Sequence, residues 1–458
     1  MKFTAAGAAR TVTGSSHHLQ IDDVNFLVDC GLFQGGSSME ALNHAPLPFE
    51  PAALDAVLVT HGHLDHVGRL PILLKQGYGG VIHCTEATAE IAKVILRDSA
   101  RIQEEDYERA LRKAVRAGRE REVAPPLYTS ADAEAVIERF RAVDMERPHR
   151  LSDKVKAVFR HAGHILGSSY IEVTGANERI TFSGDLGNRE SALHSTAVRP
   201  NETDVLVIET TYADRTHPSR AETEAAFEEV LVRSFARGGN VLIPSFALER
   251  TQQVLYLINR EMREGTVATR PVYLDSPMAT RMTRLYQRCQ NEFLPEVAAE
   301  LAQGRDPFEP EQMTYTVSSD ESKKLNDIEG GAVIVAGSGM MTGGRILHHL
   351  KHNLWRGEAS VIIVGYQAHG TFGRALQDGA QRVKIYGDEI VVRAQIHTIS
   401  GLSAHADHDD LMAFIEPAKP SKVIMVHGEP EVMDAFAPQL SAMGISPLAP
   451  ELDQTLEL

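Results

Sequence analysis

Residues 56–66 read Ala-Val-Leu-Val-Thr-His-Gly-His-Leu-Asp-His, an apolar run followed directly by three histidines and an aspartate. The apolar run is typical of a buried strand, and the turn after it carries His61, His63, Asp65 and His66. Imidazole and carboxylate groups are the ligands that zinc and similar divalent ions prefer. A tight turn lets alternate side chains converge on one point, so the pattern predicts a two-metal site rather than a surface cluster of histidines.

Composition and charge exclude several classes of protein. The chain has 458 residues, a length that suggests roughly two to four domains. Its three cysteines, Cys30, Cys84 and Cys289, form no Cys-x-x-Cys pair, which excludes a disulfide scaffold and a cysteine-ligated zinc ribbon. No apolar run reaches the about 18 residues of a membrane helix, and no signal peptide is recognisable, so we expect a cytoplasmic protein. The net charge of −16 disfavours indiscriminate binding of nucleic acid.

The order of apolar runs predicts three parts along the chain. Residues 1–210 read as short strands between glycine and aspartate turns, interrupted by a helical stretch over about 86–121. Between residues 219 and 390 strands alternate with helices, one of them over 279–293. This alternation indicates a parallel sheet with helices on both faces. The remaining residues return to strands and helices, and no linker or repeat separates the parts. The middle part is therefore interpreted as an insertion.

The histidine motif resembles that of the metallo-β-lactamase superfamily, and further residues match that family's pattern in order. His164, in the sequence HAGH, corresponds to a third histidine ligand, and Asp185, in FSGD, corresponds to a carboxylate that bridges two metal ions. Asp29, in FLVD, corresponds to an aspartate that orients the histidine turn. An aspartate at a strand end is often only a turn residue, but here the residues occur together and in the expected order.

The insertion narrows the resemblance to the β-CASP group of this superfamily. Glu209 looks like the acidic motif A of the group, and His405 and His427 look like its histidine motifs B and C. The group comprises nucleases, among them ribonuclease J and the endonuclease subunit of the cleavage and polyadenylation specificity factor. A histidine at motif C goes with RNA substrates, whereas the DNA-directed branch tends to carry valine. The chain is shorter than ribonuclease J and is most similar to the compact bacterial RNA-directed members.

The resemblance implies an α/β fold with a metallo-β-lactamase αββα sandwich and an inserted, doubly wound β-CASP domain. The expected limits are 1–210 and 391–458 for the sandwich and 211–390 for the insertion. The resemblance also implies two zinc ions and their ligands. One ion would be held by His61, His63 and His164, the other by Asp65, His66 and His427, with Asp185 bridging them.

The implied reaction is hydrolysis of RNA phosphodiester bonds. Two metal ions can clamp an in-line displacement and lower the pKa of a shared water, which becomes the nucleophile. Asp65, as a metal ligand, is counted among the catalytic residues. His405 is the candidate general acid for the leaving 3′-oxygen, and Glu209 would set its tautomer and raise its pKa. We expect endonucleolytic cleavage of single-stranded RNA, because a duplex is too wide for a recessed site. A 5′-exonuclease stays open.

Two glycine-rich turns of the insertion, residues 337–345 and 365–374, each lead into a helix. Backbone amides at such turns could cradle RNA phosphates. The candidate phosphate contacts are Ser338, Gly339, Arg345, Gly370 and Arg374. His369 lies in the second turn and matches no ligand position.

Two other functions stay open at this point. A metallo-hydrolase of a small ester, thioester or lactone would use the same metal ligands, and a non-catalytic scaffold subunit of an RNA-processing complex would share the fold. The insertion and His427 disfavour the first, and the presence of every expected ligand disfavours the second. RNA is the expected partner, no membrane partner is expected, and a homodimer is left open.

Overall fold

The computed structural model describes residues 1–119, 122–289, 292–367 and 370–458. Over these residues the chain divides into two compact units. Unit 1 comprises Met1–Arg189, Thr196–Thr216 and His405–Leu458, and unit 2 comprises Glu190–Ser195 and His217–Ala404. The predicted domain limits at residues 210 and 390 stay a prediction, and His369 lies outside the described residues.

Unit 1 contains two seven-stranded sheets. The first sheet consists, in spatial order, of β22 (Thr455–Glu457), β1 (Lys2–Ala5), β2 (His17–Ile21), β3 (Val24–Val28), β4 (Ala56–Leu58), β5 (Ile82–Cys84) and β6 (Phe140–Ala142). The second sheet consists of β21 (Ser446–Leu448), β20 (Lys422–Val426), β11 (Val205–Glu209), β10 (Arg179–Phe182), β9 (Ser169–Thr174), β8 (Lys156–His161) and β7 (Pro148–Arg150). The two sheets pack face to face, since Phe3 and Phe26 of the first share one buried core with Phe159 and Phe182 of the second.

Helices flank both sheets of unit 1. They are α1 (Ser37–Ala41), α2 (Leu64–Val67), α3 (Leu70–Lys75), α4 (Glu86–Ala117), α5 (Ser130–Ile137), α13 (His408–Ala418) and α14 (Pro430–Ala442). Phe414 of α13 and Phe436 of α14 pack with Ile208 and Val423 of the second sheet. Helix α4 contacts β6 at the edge of the first sheet. This layering confirms the predicted αββα sandwich.

Unit 2 is built around a six-stranded sheet in which every pair of neighbouring strands is parallel. Its order is β14 (Met313–Tyr315), β13 (Val272–Asp275), β15 (Val333–Ala336), β12 (Val241–Pro244), β16 (Ser360–Ile363) and β19 (Gln395–Thr398). A separate hairpin pairs β17 (Arg382–Ile385) with β18 (Asp388–Val391). The helices are α6 (Arg220–Ala236), α7 (Arg250–Glu264), α8 (Pro277–Tyr286), α9 (Pro295–Ala302), α10 (Ser319–Lys324), α11 (Ile346–Asn353) and α12 (Phe372–Gln377). The predicted alternation of strands and helices is confirmed.

Two predicted helices end earlier in the structure than in the sequence pattern. Helix α4 ends at Ala117 because Gly118 adopts a left-handed conformation, the usual end of a helix. Helix α8 ends at Tyr286. The apolar Phe293 that suggested a longer helix instead packs, from a turn, against the rings of Tyr286 and Phe308. No helix in the described residues is both long enough and apolar enough to cross a bilayer.

Candidate metal centre

The carboxyl ends of parallel strands bring the predicted ligands together. In the first sheet β3 and β4 run parallel, and Asp29 and His61 follow their ends. In the second sheet β10, β11 and β20 run parallel, and Asp185, Glu209 and His427 lie at or just after their ends. Polar side chains from distant parts of the chain therefore meet at one edge of the sandwich.

Asp29 fixes the histidine turn that follows β4. Its Oδ1 accepts a hydrogen bond from the N–H of Thr60 at 2.8 Å, and its Oδ2 accepts one from the Thr60 hydroxyl at 2.7 Å. The same Oδ2 lies 2.8 Å from Nδ1 of His66. With Nδ1 held by Asp29, the His66 ring presents Nε2 to the centre of the site. The backbone at Gly31 passes so close to the turn that a Cβ there would overlap the Asp65 carbonyl.

The first group of converging nitrogens comes from His61, His63 and His164. Nε2 of His61 lies 3.0 Å from Nδ1 of His63, and Nε2 of His164 lies 3.3 Å from that same Nδ1. The loop that carries His164 is held by Ser168, whose hydroxyl oxygen accepts a hydrogen bond from the N–H of His164 at 3.0 Å. The three rings therefore point their nitrogens at one place.

The second group is formed by Asp65, His66 and His427. Oδ2 of Asp65 lies 3.3 Å from Nε2 of His427 and 4.0 Å from Nε2 of His66. His427 adopts a left-handed backbone conformation with φ of 49°, as does Asp29 with φ of 61°. Such conformations cost free energy in residues other than glycine, and they concentrate at functional sites.

Asp185 lies between the two groups and faces both of them. Its Oδ2 is 3.4 Å from Nε2 of His61 and 3.6 Å from Nε2 of His164. Its Oδ1 is 3.3 Å from Nε2 of His66 and 3.8 Å from Nδ1 of His427. One oxygen of the carboxylate thus serves the first group and the other oxygen serves the second.

Burial and the Asp185 carboxylate act in opposite directions on the histidines of the site. Although burial opposes it, Asp185 raises the pKa of His66 and of His427 above the ordinary value, so a metal ion would displace a proton from these two rings. Burial, with the neighbouring His66, holds the pKa of His61 well below its ordinary value, and burial lowers the pKa of His63 to about 4. Both rings are therefore neutral at neutral pH, which is the form that binds a metal ion. In the described part of the chain, Nε2 of His66 and Oδ1 of Asp185 are buried without a hydrogen-bond partner. Unsatisfied buried polar atoms are costly, so a cation between them is a chemically consistent occupant.

Glu209 and His405 form a pair beside these groups. Nδ1 of His405 lies 3.0 Å from Oε2 of Glu209, which is completely buried. Burial opposes protonation of His405, but the Glu209 carboxylate outweighs it and raises the pKa of the ring to about 9. The carboxylate is fixed in turn, because its Oε1 accepts the N–H of Leu186 at 2.6 Å and its Oε2 accepts the Thr211 hydroxyl at 2.5 Å.

Two hydroxyl residues of the site were not singled out in the sequence. Thr60 holds Asp29, and its hydroxyl also lies 3.1 Å from Nδ1 of His61. Thr211 contacts Glu209 and lies 3.1 Å from Nδ1 of His427. Both lie within two residues of a predicted site residue, and that proximity is the one sequence signal that could have identified them.

The predicted phosphate contacts all belong to unit 2. Arg345 donates to the buried Asp275 carboxylate at 2.8 Å and to two backbone carbonyls. Arg374 pairs with Asp378 at 2.9 Å, one helical turn away. Ser338 and Gly339 follow β15, and Gly370 precedes α12. Their role in binding phosphate stays a prediction.

An ion pair ties the segment after Asp185 to helix α13, which follows His405. The N–H of Arg189 donates to Oδ2 of Asp410 at 3.2 Å, and Nε of Arg189 lies 3.0 Å from Oδ1. Burial and the neighbouring Asp407 carboxylate raise the pKa of Asp410 to about 6, from an ordinary value of 3.8. The folded protein therefore binds the Asp410 proton more tightly than the unfolded chain does.

This difference predicts a pH-dependent effect of Asp410→Asn. The free energy of unfolding of the wild type should fall as pH rises from about 4 to about 6, because the buried carboxyl must ionise in the folded state. The amide does not titrate, so the stability of the variant relative to the wild type should rise over this window and then level off. Denaturation midpoints of both proteins between pH 4 and 8 measure it. Asp153→Asn, at an exposed turn, is the matched control, and a constant difference for Asp410→Asn would contradict the prediction.

Comparisons with known proteins agree with this geometry. Residues 10–230 match the metallo-β-lactamase superfamily, residues 251–376 match the Beta-Casp domain, and residues 389–450 match the Zn-dependent metallo-hydrolase RNA specificity domain. Ribonuclease TTHA0252 of Thermus thermophilus is 39% identical over 97% of this chain and 97% of its own length. The transcription termination factor FttA of Methanocaldococcus jannaschii is 33% identical over 94% of this chain and 67% of its own length.

A solved structure supports the fold alone. The crystal structure of a protein of unknown function from Enterococcus faecalis V583 covers 100% of this chain and 99% of its own, with a TM-score of 0.57 and 14% identity. The sequence relatives, the matched domains and the convergence of seven histidine and aspartate side chains at one edge of the sandwich are consistent with one family. The chain belongs to the β-CASP group of the metallo-β-lactamase superfamily.

Proposed function

We propose that the protein is a zinc-dependent ribonuclease that cleaves single-stranded RNA internally, leaving 5′-phosphate and 3′-hydroxyl ends. That the protein hydrolyses RNA is supported by its 39% identity to a ribonuclease and by its match to the Zn-dependent metallo-hydrolase RNA specificity domain. The two-metal part of the proposal rests on the position of the Asp185 carboxylate. Its two oxygens face two separate groups of ligands at 3.3–3.8 Å.

The seven histidine and aspartate side chains of the site suit two zinc ions. His61, His63 and His164 would hold one ion, Asp65, His66 and His427 the other, and Asp185 would bridge them. Three neutral imidazoles with a carboxylate, and two imidazoles with two carboxylates, are donor sets that zinc accepts. When bound, such ions polarise the phosphate and lower the pKa of water to near neutrality.

His405 supplies the proton that the leaving group needs. Since Nδ1 of His405 is bound to the Glu209 carboxylate, the Nε2–H of the protonated ring is the donor for the 3′-oxygen. The raised pKa keeps that proton in place at neutral pH. Glu209 acts through His405 and is a positioning residue. Asp29 orients His66 in the same way.

RNA phosphates would bind in unit 2 at the two glycine-rich turns. The backbone amides of Gly339 and Gly370 are the candidate donors, because glycine-rich turns that lead into helices present N–H groups to an anion. The N–H of Ser338 donates to the carbonyl of Gly343 at 3.3 Å, so Ser338 would contact a phosphate only through its side chain. Arg374 lies in α12, directly after the second turn, and its guanidinium pairs with Asp378, so it would contact a phosphate in exchange for that partner. The pairing of Arg345 with Asp275 makes it a support of the first turn as well as a candidate contact.

A time course with internally labelled single-stranded RNA tests the proposal. The wild type should give discrete intermediate fragments, a chelator should stop cleavage, and added zinc should restore it. Asp65→Ala should give no fragments and bind less metal, whereas Asp153→Ala, at an exposed turn, should cleave like the wild type.

Other outcomes would each overturn a part of the proposal. A ladder of mononucleotides growing from the 5′ end would replace endonuclease by exonuclease action. One bound zinc per chain in an active protein would remove the two-metal part. No RNA cleavage by a protein that carries two zinc ions and hydrolyses a thioester or lactone would favour the small-substrate hydrolase instead.

A further inference from the structure

Two aromatic side chains are exposed at the carboxyl ends of neighbouring strands in unit 2. Phe246 follows β12 and is 41% exposed, and Tyr366 follows β16 and is 59% exposed. Strands β12 and β16 are direct neighbours in the sheet. Burying a phenylalanine side chain is worth about 1.5–3 kcal/mol, so a ligand that covers this ring would gain affinity from the contact.

The Phe246 ring is seated between the two glycine-rich turns. A Cβ at Gly339 would lie 2.6 Å from Cδ2 of the ring, and a Cβ at Gly365 would lie 3.7 Å from Cε2. Only a glycine at position 339 leaves room for the ring. Its placement therefore depends on the turn that the sequence marks as glycine-rich.

The surroundings of the ring are fixed by hydrogen bonds. The buried Gln367 donates from Nε2 to the carbonyl of Gly339 at 3.0 Å and to that of Gly365 at 3.1 Å, which joins the two turns. The hydroxyl of Thr251 donates to the Phe246 carbonyl at 2.6 Å. An aromatic ring held in this way loses little conformational freedom when a ligand binds.

We propose that Phe246 and Tyr366 form a stacking surface for unpaired RNA bases, here called the aromatic platform. The proposal rests on the proposed ribonuclease function and adds how the single strand is held. Every base has a flat face that stacks on an aromatic ring without regard to sequence, whereas bases in a duplex are already stacked on their neighbours. The adjoining glycine-rich turns are the phosphate contacts of the proposed function.

The charge of the protein supports a stacking contribution. With 62 acidic and 46 basic residues, the chain cannot rely on long-range attraction for the RNA backbone, which usually dominates affinity for nucleic acid. Stacking on exposed rings is insensitive to that net charge. It would also select single strands over duplexes.

Fluorescence of a tryptophan placed at position 246 tests the aromatic platform. The chain has one tryptophan, Trp355, which is 48% exposed, so Phe246→Trp with Trp355→Phe reports from the platform alone. The Asp65→Ala substitution is added to prevent cleavage. Single-stranded RNA should quench the emission saturably, and a duplex of the same sequence should not.

The affinity of each variant for RNA, measured by the fluorescence anisotropy of labelled RNA, is a second test of the aromatic platform. Phe246→Ala should weaken binding of single-stranded RNA about tenfold, the order of one lost stacked base, and Phe246→Trp should retain it. Gly339→Ala should weaken binding similarly because its Cβ displaces the ring. Gly357→Ala is the matched control, since this glycine lies outside both glycine-rich turns and its Cβ would meet nothing within 4 Å. Tyr386→Ala removes another exposed ring, 58% exposed, and should leave binding unchanged.

The outcomes separate this inference from the function on which it rests. If the wild type cleaves single-stranded RNA but position 246 shows no quenching and Phe246→Ala binds normally, the aromatic platform is wrong and the ribonuclease stands. Equal quenching by single strand and duplex would also overturn it, because a paired base cannot stack there. If the wild type cleaves no RNA, the proposed function itself fails.

Discussion

Replacing Asp185 by asparagine is expected to lower the rate of RNA cleavage about 1,000-fold or more. The carboxylate faces both ligand groups, with one oxygen 3.4 Å from Nε2 of His61 and the other 3.3 Å from Nε2 of His66. The amide keeps the shape but removes the negative charge and one acceptor oxygen. Losing several kcal/mol of charge stabilisation, at about 1.4 kcal/mol per factor of ten, gives this magnitude.

Metal content should fall together with the rate in Asp185→Asn. Elemental analysis after dialysis should give fewer than two zinc ions per chain, and single-turnover cleavage of labelled RNA measures the rate. The matched control is Asp153→Asn at an exposed turn. A variant that keeps two zinc ions and cleaves within tenfold of the wild type would show that Asp185 does not bridge them.

Replacing His405 by alanine is expected to lower kcat by about 10²- to 10⁴-fold, the usual contribution of a general acid, while both metal ions stay bound. His405 is placed by Glu209 rather than by the ligand groups, since its Nδ1 is 3.0 Å from Oε2 of Glu209. The KM for RNA should change little. His44→Ala removes an exposed histidine elsewhere in unit 1 and should have no effect.

A modified substrate separates proton donation from a structural role of His405. RNA with sulfur in place of the leaving 3′-oxygen at the cleaved bond needs no proton, because a thiolate leaves readily. The defect of His405→Ala should therefore shrink at least about tenfold on this substrate, whereas that of Asp185→Asn should persist. An undiminished defect of His405→Ala on the sulfur substrate would assign the residue to positioning instead.

The convergence of the predicted ligands could be anticipated from the sequence, because three of them are polar residues that closely follow apolar strands. These three are His61, Asp185 and His427. Parallel pairing of the strands then places the strand ends side by side. The resemblance to a known family supplied the roles that are proposed for them. The αββα sandwich and the parallel sheet of the insertion followed from the same patterns.

Contacts between residues far apart in the chain could not be predicted in this way. The ring of Phe246 packs against Gly339, and no local pattern indicates that pairing. Arg345 is another case, because its partner Asp275 lies 70 residues away. The end of α8 was missed since the apolar Phe293 fits a helical pattern but is buried by neighbouring aromatic rings. The roles of Arg345 and Arg374, and a homodimer, stay predictions.

The pairing of Asp65 with His427 has a consequence for how the enzyme is made. These residues are 362 positions apart, so the second group cannot be complete before residue 427 has been synthesised. The first group, from His61 to His164, can assemble much earlier. We therefore expect a nascent chain that has not yet reached residue 427 to be inactive towards RNA, including the messenger RNA that encodes it.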